Sequence, residues 1–143
     1  MRVLCTGSSG FVGKETVRLL SSVGFEIIPF DIMNGNQDIT DYDCLDSFVK
    51  SAQPQRILHL AATARFSDAD RNPKRAHDTN VAGTENVAMV ASKYHVPVVY
   101  SSTGTVYMPV MGEMPITEDF PTTIQQQMSV FGRTKRLGVE EIT

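Results

Sequence analysis

Three glycines, Gly7, Gly10 and Gly13, stand near the start of the 143-residue chain at a spacing suited to holding phosphate. An apolar run at 3–5 precedes them and reads as a short buried strand, while Val12, Thr16, Leu19, Leu20 and Val23 follow with a helical period. Strand, glycine turn and helix in that order aim backbone N–H groups and the positive end of a helix dipole at one spot, which suits a pyrophosphate. With no side chains at the glycines, backbone and phosphate can approach closely. A second group with chemical meaning is Asp31, which ends an apolar strand at 25–30 and lies eighteen residues beyond Gly13. That is close to the spacing at which an acidic residue accepts hydrogen bonds from the two hydroxyls of an adenosine ribose. A carboxylate in that place repels a 2′-phosphate, so the pattern favours NAD over NADP as partner.

These residues need a scaffold, and the rest of the chain supplies the elements. Gly24 can end the first helix, and Asn34-Gly-Asn36 marks a turn. Thr40 with Asp43 is predicted to cap a helix whose apolar stripe is Leu45, Phe48, Val49 and Ala52, closed by Pro54. A third strand is predicted at 56–60, running into the small residues Ala61 and Ala62, and the link before it reads as a short segment in place of a full crossover helix. The polar stretch 65–72 reads as a loop ended by Pro73, and 74–94 as one long helix with Val87, Val90, Ala91 and Tyr94 on one face and Gly83 inside it. Pro97 starts a fourth strand that ends in Ser101-Ser-Thr-Gly104. A loop-like region follows at 108–127, then a last helix carrying Phe131, Lys135, Gly138, Val139 and Ile142. Alternating strands and helices predict an α/β fold, a Rossmann-like doubly wound parallel sheet covered on both faces, formed by a single domain over residues 1–143. Right-handed crossovers would bring Thr6, Asp31, Ala61 and Ser101 to a common cleft.

Composition narrows the function classes. The chain is 41% hydrophobic and 20% charged, as in an ordinary globular protein, and its formal net charge of -3 gives no basic footprint for nucleic acid. It has neither a signal-peptide pattern nor an apolar run long enough to span a bilayer, so a cytoplasmic location and no membrane partner are expected. Cys5 and Cys44 read as reduced structural thiols. His59, His77 and His95 do not fall at metal-ligand spacing, so no metal site is expected.

Read in order, Gly7-x-x-Gly10-x-x-Gly13, Asp31, Asp38-Ile39, His59-Leu-Ala-Ala62, Asn80-Val-x-Gly-Thr84 and Ser101-Ser-Thr-x-Thr-Val-Tyr107 resemble the extended short-chain dehydrogenase/reductase family, the NAD-dependent nucleotide-sugar epimerases and dehydratases. The resemblance implies that Phe11 and Val12 offer backbone N–H groups to the pyrophosphate, that Asp31 holds the adenosine ribose and that Asp38 and Ile39 border the adenine. It implies further that Ala61 and Ala62 line the middle of the cofactor, that Asn80 braces the sheet, and that Thr103 hydrogen-bonds the reacting sugar oxygen. The family carries a Tyr and a Lys four apart on one helix face; the Lys holds the nicotinamide ribose and lowers the phenol's pKa for proton transfer. Here the stretch reads Phe131-Gly-Arg-Thr-Lys135. Lys135 keeps its place as a cofactor-binding and catalytic group, but Phe131 has no exchangeable proton.

Family members also run about twice this far, and their later segments close the sugar-nucleotide pocket. The fold is therefore expected to be truncated before the C-terminal substrate-binding part, with an open edge on the fourth strand. That edge, or the apolar faces of the 74–94 and 128–142 helices, is expected to be buried in a homodimer. Two functional readings follow: an NAD-binding protein of the epimerase/dehydratase type with impaired or absent catalysis, or an active epimerase, dehydratase or reductase of a nucleotide sugar whose proton relay comes from water or a partner chain. A fragment or engineered Tyr-to-Phe form of a longer enzyme is a third possibility that residues alone leave open.

Overall fold

The computed structural model describes residues 1–107, 116–120 and 129–142. Its centre is a parallel sheet of β1 (Arg2–Thr6), β2 (Glu26–Phe30), β3 (Arg56–His59) and β4 (Val98–Tyr100), in the order β2-β1-β3-β4. β1 sits between two neighbours, which is why Val3, Leu4 and Cys5 are apolar without alternation and all buried. Between the strands run α1 (Phe11–Ser22), α2 (Tyr42–Ala52), α3 (Phe66–Arg71), α4 (Pro73–His77) and α5 (Gly83–Tyr94), and α6 (Val130–Ile142) is the last helix described.

The main core gathers Leu4, Phe30 and Ile57 of the sheet with Leu45 and Val49 of α2 and Val87, Val90 and Ala91 of α5. Alternate strand residues point to the opposite face. There Val3 and Cys5 are buried, whereas Leu58 is half-buried and Val99 is exposed. Among the described helices, α1 packs on β1 and β2. Its predicted apolar stripe is largely open to solvent: Val12, Leu19 and Val23 are exposed, and Gly13 is its buried residue.

Four other expectations change. The predicted loop at 65–72 is mostly helix, because Ala69 anchors α3 through full burial while its acidic and basic residues face out. Pro73 starts a helix instead of ending a loop, with the Asn72 side chain accepting from the Arg75 N–H at 3.1 Å as its cap. The crossover before β3 contains a full helix of 11 residues, and Asp41 caps it in place of Thr40, accepting from the Cys44 N–H at 3.0 Å. The long helix predicted over 74–94 is interrupted by a π-helical turn at Asp78–Ala82, the kind of local widening often found at functional sites. Of the loop expected at 108–127, only 116–120 lies within the described residues. Among the described residues no helix is long and apolar enough to cross a membrane.

Candidate functional site

The glycine turn is dictated by contact distances. Gly7 has φ +69, and a Cβ there would come within 2.6 Å of the Ala61 backbone nitrogen. A Cβ on Gly13 would stand 2.2 Å from the Gly7 carbonyl oxygen, so α1 can lie this close to the end of β1 only with glycine at that position. The Gly7 N–H donates to the Phe30 carbonyl at 2.9 Å and the Gly10 N–H to the Gly7 carbonyl at 3.1 Å, which closes the turn. No side chain caps α1 and no acidic residue sits in its first turn. Its first amides and the positive end of its dipole therefore face the cleft without an internal counter-charge.

Asp31 lies beside that opening with 8% of its surface exposed. Its Oδ2 accepts from the Ser9 N–H and its Oδ1 from the Met33 N–H, both at 2.9 Å. Two backbone donors thus fix the carboxylate's plane and leave a lone pair on each oxygen for hydroxyl donors. Gly7, Gly10, Phe11, Val12, Gly13, Asp31, Asp38, Ile39, Ala61 and Ala62 line a single cleft of about 820 Å³. The volume suits a small-molecule cofactor. Thr63, Arg75, Asp78 and Thr79 line it as well and were not anticipated. No local signal in the sequence brings the last three to this wall, since their place depends on how the segment packs against the sheet's carboxyl end.

Ile39 is held from behind. Gly83 leaves the room its side chain occupies, since a Cβ there would meet Ile39 Cδ1 at 2.7 Å, and Asn86 Nδ2 donates to the Ile39 carbonyl at 2.9 Å.

Beneath the cleft runs a buried polar chain. The Leu60 and Ala61 N–H groups donate to Thr6 Oγ1, each at 3.2 Å, and that hydroxyl lies 2.7 Å from His59 Nδ1. His59 Nε2 lies 3.0 Å from Thr84 Oγ1, which donates to the Asn80 carbonyl at 2.9 Å. Because the Thr84 proton is spent on Asn80, Nε2 carries the ring proton and Nδ1 accepts from Thr6. The ring is neutral: burial, aided by the Lys135 charge, pushes its pKa down to about 3. Thr6, expected at the cleft surface, is thus completely buried below it, and Ser101 is exposed and does not line it.

The residues expected at the other end of the site stand apart from this cleft. Thr103 opens a short turn at Gly104–Tyr107, its Oγ1 accepting from the Thr105 N–H at 3.2 Å. Phe131 packs its ring on Phe66, with centroids 5.2 Å apart and planes at 75°, in a cluster with Ala69 and Ala76. Lys135 is 4% exposed, with Nζ 4.0 Å above the Tyr100 ring, and burial pushes its pKa down to about 8. Tyr100 fits beneath Gly138, where a Cβ would meet its hydroxyl at 2.6 Å, and burial pushes its phenol up to about 12. Neither residue is among those that line the cleft.

A family profile described as RmlD substrate binding domain matches residues 1–143. The chain belongs to this family. A UDP-glucose 4-epimerase of Pisum sativum is 30% identical over 167 residues, a match covering 99% of this chain and 46% of the epimerase. The dTDP-4-dehydrorhamnose reductase of Bacillus anthracis, solved in complex with NADP, superposes with a TM-score of 0.83 at 28% identity, covering 99% of this chain and 48% of that one. The Bordetella bronchiseptica enzyme WbmG, solved with NAD and UDP, gives a TM-score of 0.84 at 26% identity, covering 98% and 48%. The chain thus spans about half the length of the relatives it matches, and its Rossmann-like sheet is theirs.

Proposed function

We propose that this chain is the NAD-binding part of a nucleotide-sugar epimerase or reductase in which proton transfer is impaired. The observation that carries the reading is the uncapped start of α1 opening into the same cleft as the buried, backbone-held Asp31. A pyrophosphate fits the first: the Phe11 and Val12 N–H groups would donate to it, and the glycines leave no Cβ in its way. Ribose hydroxyls fit the second, and the fixed carboxylate favours NAD over NADP. Asp38 and Ile39 would border the adenine, Ala61 and Ala62 the middle of the cofactor, and Lys135 would hold the nicotinamide ribose. NAD bound there supplies a hydride acceptor. Thr103 would hydrogen-bond a sugar oxygen, but Phe131 can neither take nor return a proton, a loss worth about a hundred- to ten-thousandfold in rate. We place the protein in the cytoplasm as a homodimer joined through the outer faces of α5 and α6, with a nucleotide sugar as the second ligand.

Calorimetry tests the binding half. NAD should bind more tightly than NADP, and Asp31→Ala should weaken NAD by about 10- to 100-fold, as loss of a charged hydrogen-bond acceptor does. Equal affinities for the two cofactors in the unaltered chain would remove the role given to Asp31. For catalysis, Phe131→Tyr should raise turnover across a panel of nucleotide sugars, and unaltered protein as fast as that variant would refute the impairment.

A further inference from the structure

The cleft wall and α6 are joined through one side chain. Asn80, in the π-helical turn, is completely buried. Its Oδ1 accepts from the Thr63 N–H at 2.8 Å, and its Nδ2 donates both to the Thr63 carbonyl at 3.2 Å and to Thr134 Oγ1 at 2.9 Å. Both amide protons are used, and the Thr63 backbone is clamped at its donor and its acceptor alike. Thr63 belongs to the cleft wall. Thr134 stands next to Lys135, is 4% exposed, and donates its own proton to the Phe131 carbonyl at 3.1 Å.

We propose that the Asn80–Thr134 hydrogen bond is a latch that transmits the state of the cleft wall at 61–63 to α6, which makes Thr134 a positioning residue. The inference rests on the cofactor reading above and adds to it a second route from the cleft wall to α6, separate from the contact given to Lys135. The mechanics follow from the planar amide. A shift of the Thr63 backbone tilts the Asn80 side chain, and Thr134 either follows or loses its donor in a place where no water replaces it. The turn itself cannot drift away, since its Asn80 carbonyl is held by Thr84, and Thr84 by His59 of the sheet. The turn's backbone therefore stays with the sheet while the Asn80 side chain couples the Thr63 wall to α6.

Amide hydrogen exchange on the full chain, with calorimetry on the same samples, tests the latch. NAD should slow exchange across 130–142 by about tenfold or more, a change within the range that local opening spans. Thr134→Val keeps the shape and removes the acceptor. It should leave NAD affinity within about threefold, because it alters no residue of the cleft wall, yet remove most of the NAD-dependent slowing in α6, leaving only what the Lys135 contact supplies. Thr134→Ser should restore it. The same slowing in the valine variant, or none in the unaltered protein that binds NAD, overturns the latch alone. No heat with NAD in the unaltered protein removes the cofactor reading, and the latch with it. Should the valine variant not fold, nuclear magnetic resonance of the unaltered chain decides: the Asn80 side-chain NH₂ and the Thr134 amide should shift together on adding NAD, and a stationary Asn80 pair rejects the proposal.

Discussion

At the scale of single residues, His59 shows how burial and hydrogen bonding choose a protonation state. Its two nitrogens are occupied by Thr6 and Thr84, and nothing around the ring stabilises a second proton. The folded pKa of about 3 lies below the ordinary value of 6.5, so the unfolded chain takes up this proton first as pH falls. Stability from this group is therefore complete above about pH 6.5 and declines toward pH 3, at a limiting slope near 1.4 kcal/mol per pH unit. Urea melts between pH 7 and 5 should show that slope on top of the carboxylate background. His59→Gln should be less stable at pH 7, having lost the fitted ring, but with a pH slope shallower by about one proton. Equal slopes would mean that the ring is not held neutral. In the sequence His59 stands in a family motif and outside any metal-ligand spacing, but its role is not legible there, because a histidine's partners come from other elements, here β1 and α5. Asp31 was legible for the opposite reason: its place is set by strand length and the glycine turn, both local. Lys135 and Phe131 were legible as residues, but not their surroundings, which depend on how α6 packs on Tyr100 and Phe66.

At the scale of elements, the strands and α1, α2, α5 and α6 follow from apolar period and glycine punctuation, whereas α3 and the π-helical turn do not. α3 carries two apolar residues, Phe66 and Ala69, in a polar setting, too few to register as a period. A π turn adds one residue to a helix without altering its composition, so periodicity reads straight through it. Where a glycine matters for geometry, its cost is open to measurement. Gly13→Ala must force its Cβ against the Gly7 carbonyl oxygen and the Ser8 carbonyl group, at 2.2 and 2.8 Å. Backbone atoms there have nowhere to retreat without pulling α1 from β1, so we expect a loss of about 1–3 kcal/mol by denaturant melting and loss of NAD binding. Gly24→Ala is the control. Its φ of +91 makes alanine strained, but nothing lies within 4 Å, and the residue is remote from the cleft. It should cost about 1 kcal/mol and leave NAD affinity unchanged. If Gly13→Ala melts and binds like the control, the close approach of α1 to β1 is not what shapes the phosphate end of the cleft.

For the whole molecule, the sheet's two faces are unequal. One is covered by α2 and α5 around the main core, while on the other, among the described residues, α1 leaves Val99 61% exposed at the β4 end. Leu19 of α1 and Val23, just past its end, are exposed, and Met89 of α5 is 49% exposed on the opposite side of the sheet from α1. Two apolar surfaces thus compete for a partner, and charge substitutions separate them. If the homodimer forms through α5 and α6, Met89→Glu should leave monomers in sedimentation equilibrium at about 10 μM, because an unpaired carboxylate buried at a helix interface costs several kcal/mol. Val99→Glu should leave that dimer intact and reduce aggregation on heating, since a charge on an edge strand discourages further strand pairing. The reverse pattern would assign the interface to the β4 edge. The cleft opens at the carboxyl ends of β1, β2 and β3, and neither Val99 nor Met89 lines it, so neither substitution should alter NAD affinity, and a change in affinity with Val99→Glu would show that β4 and the cleft are mechanically linked.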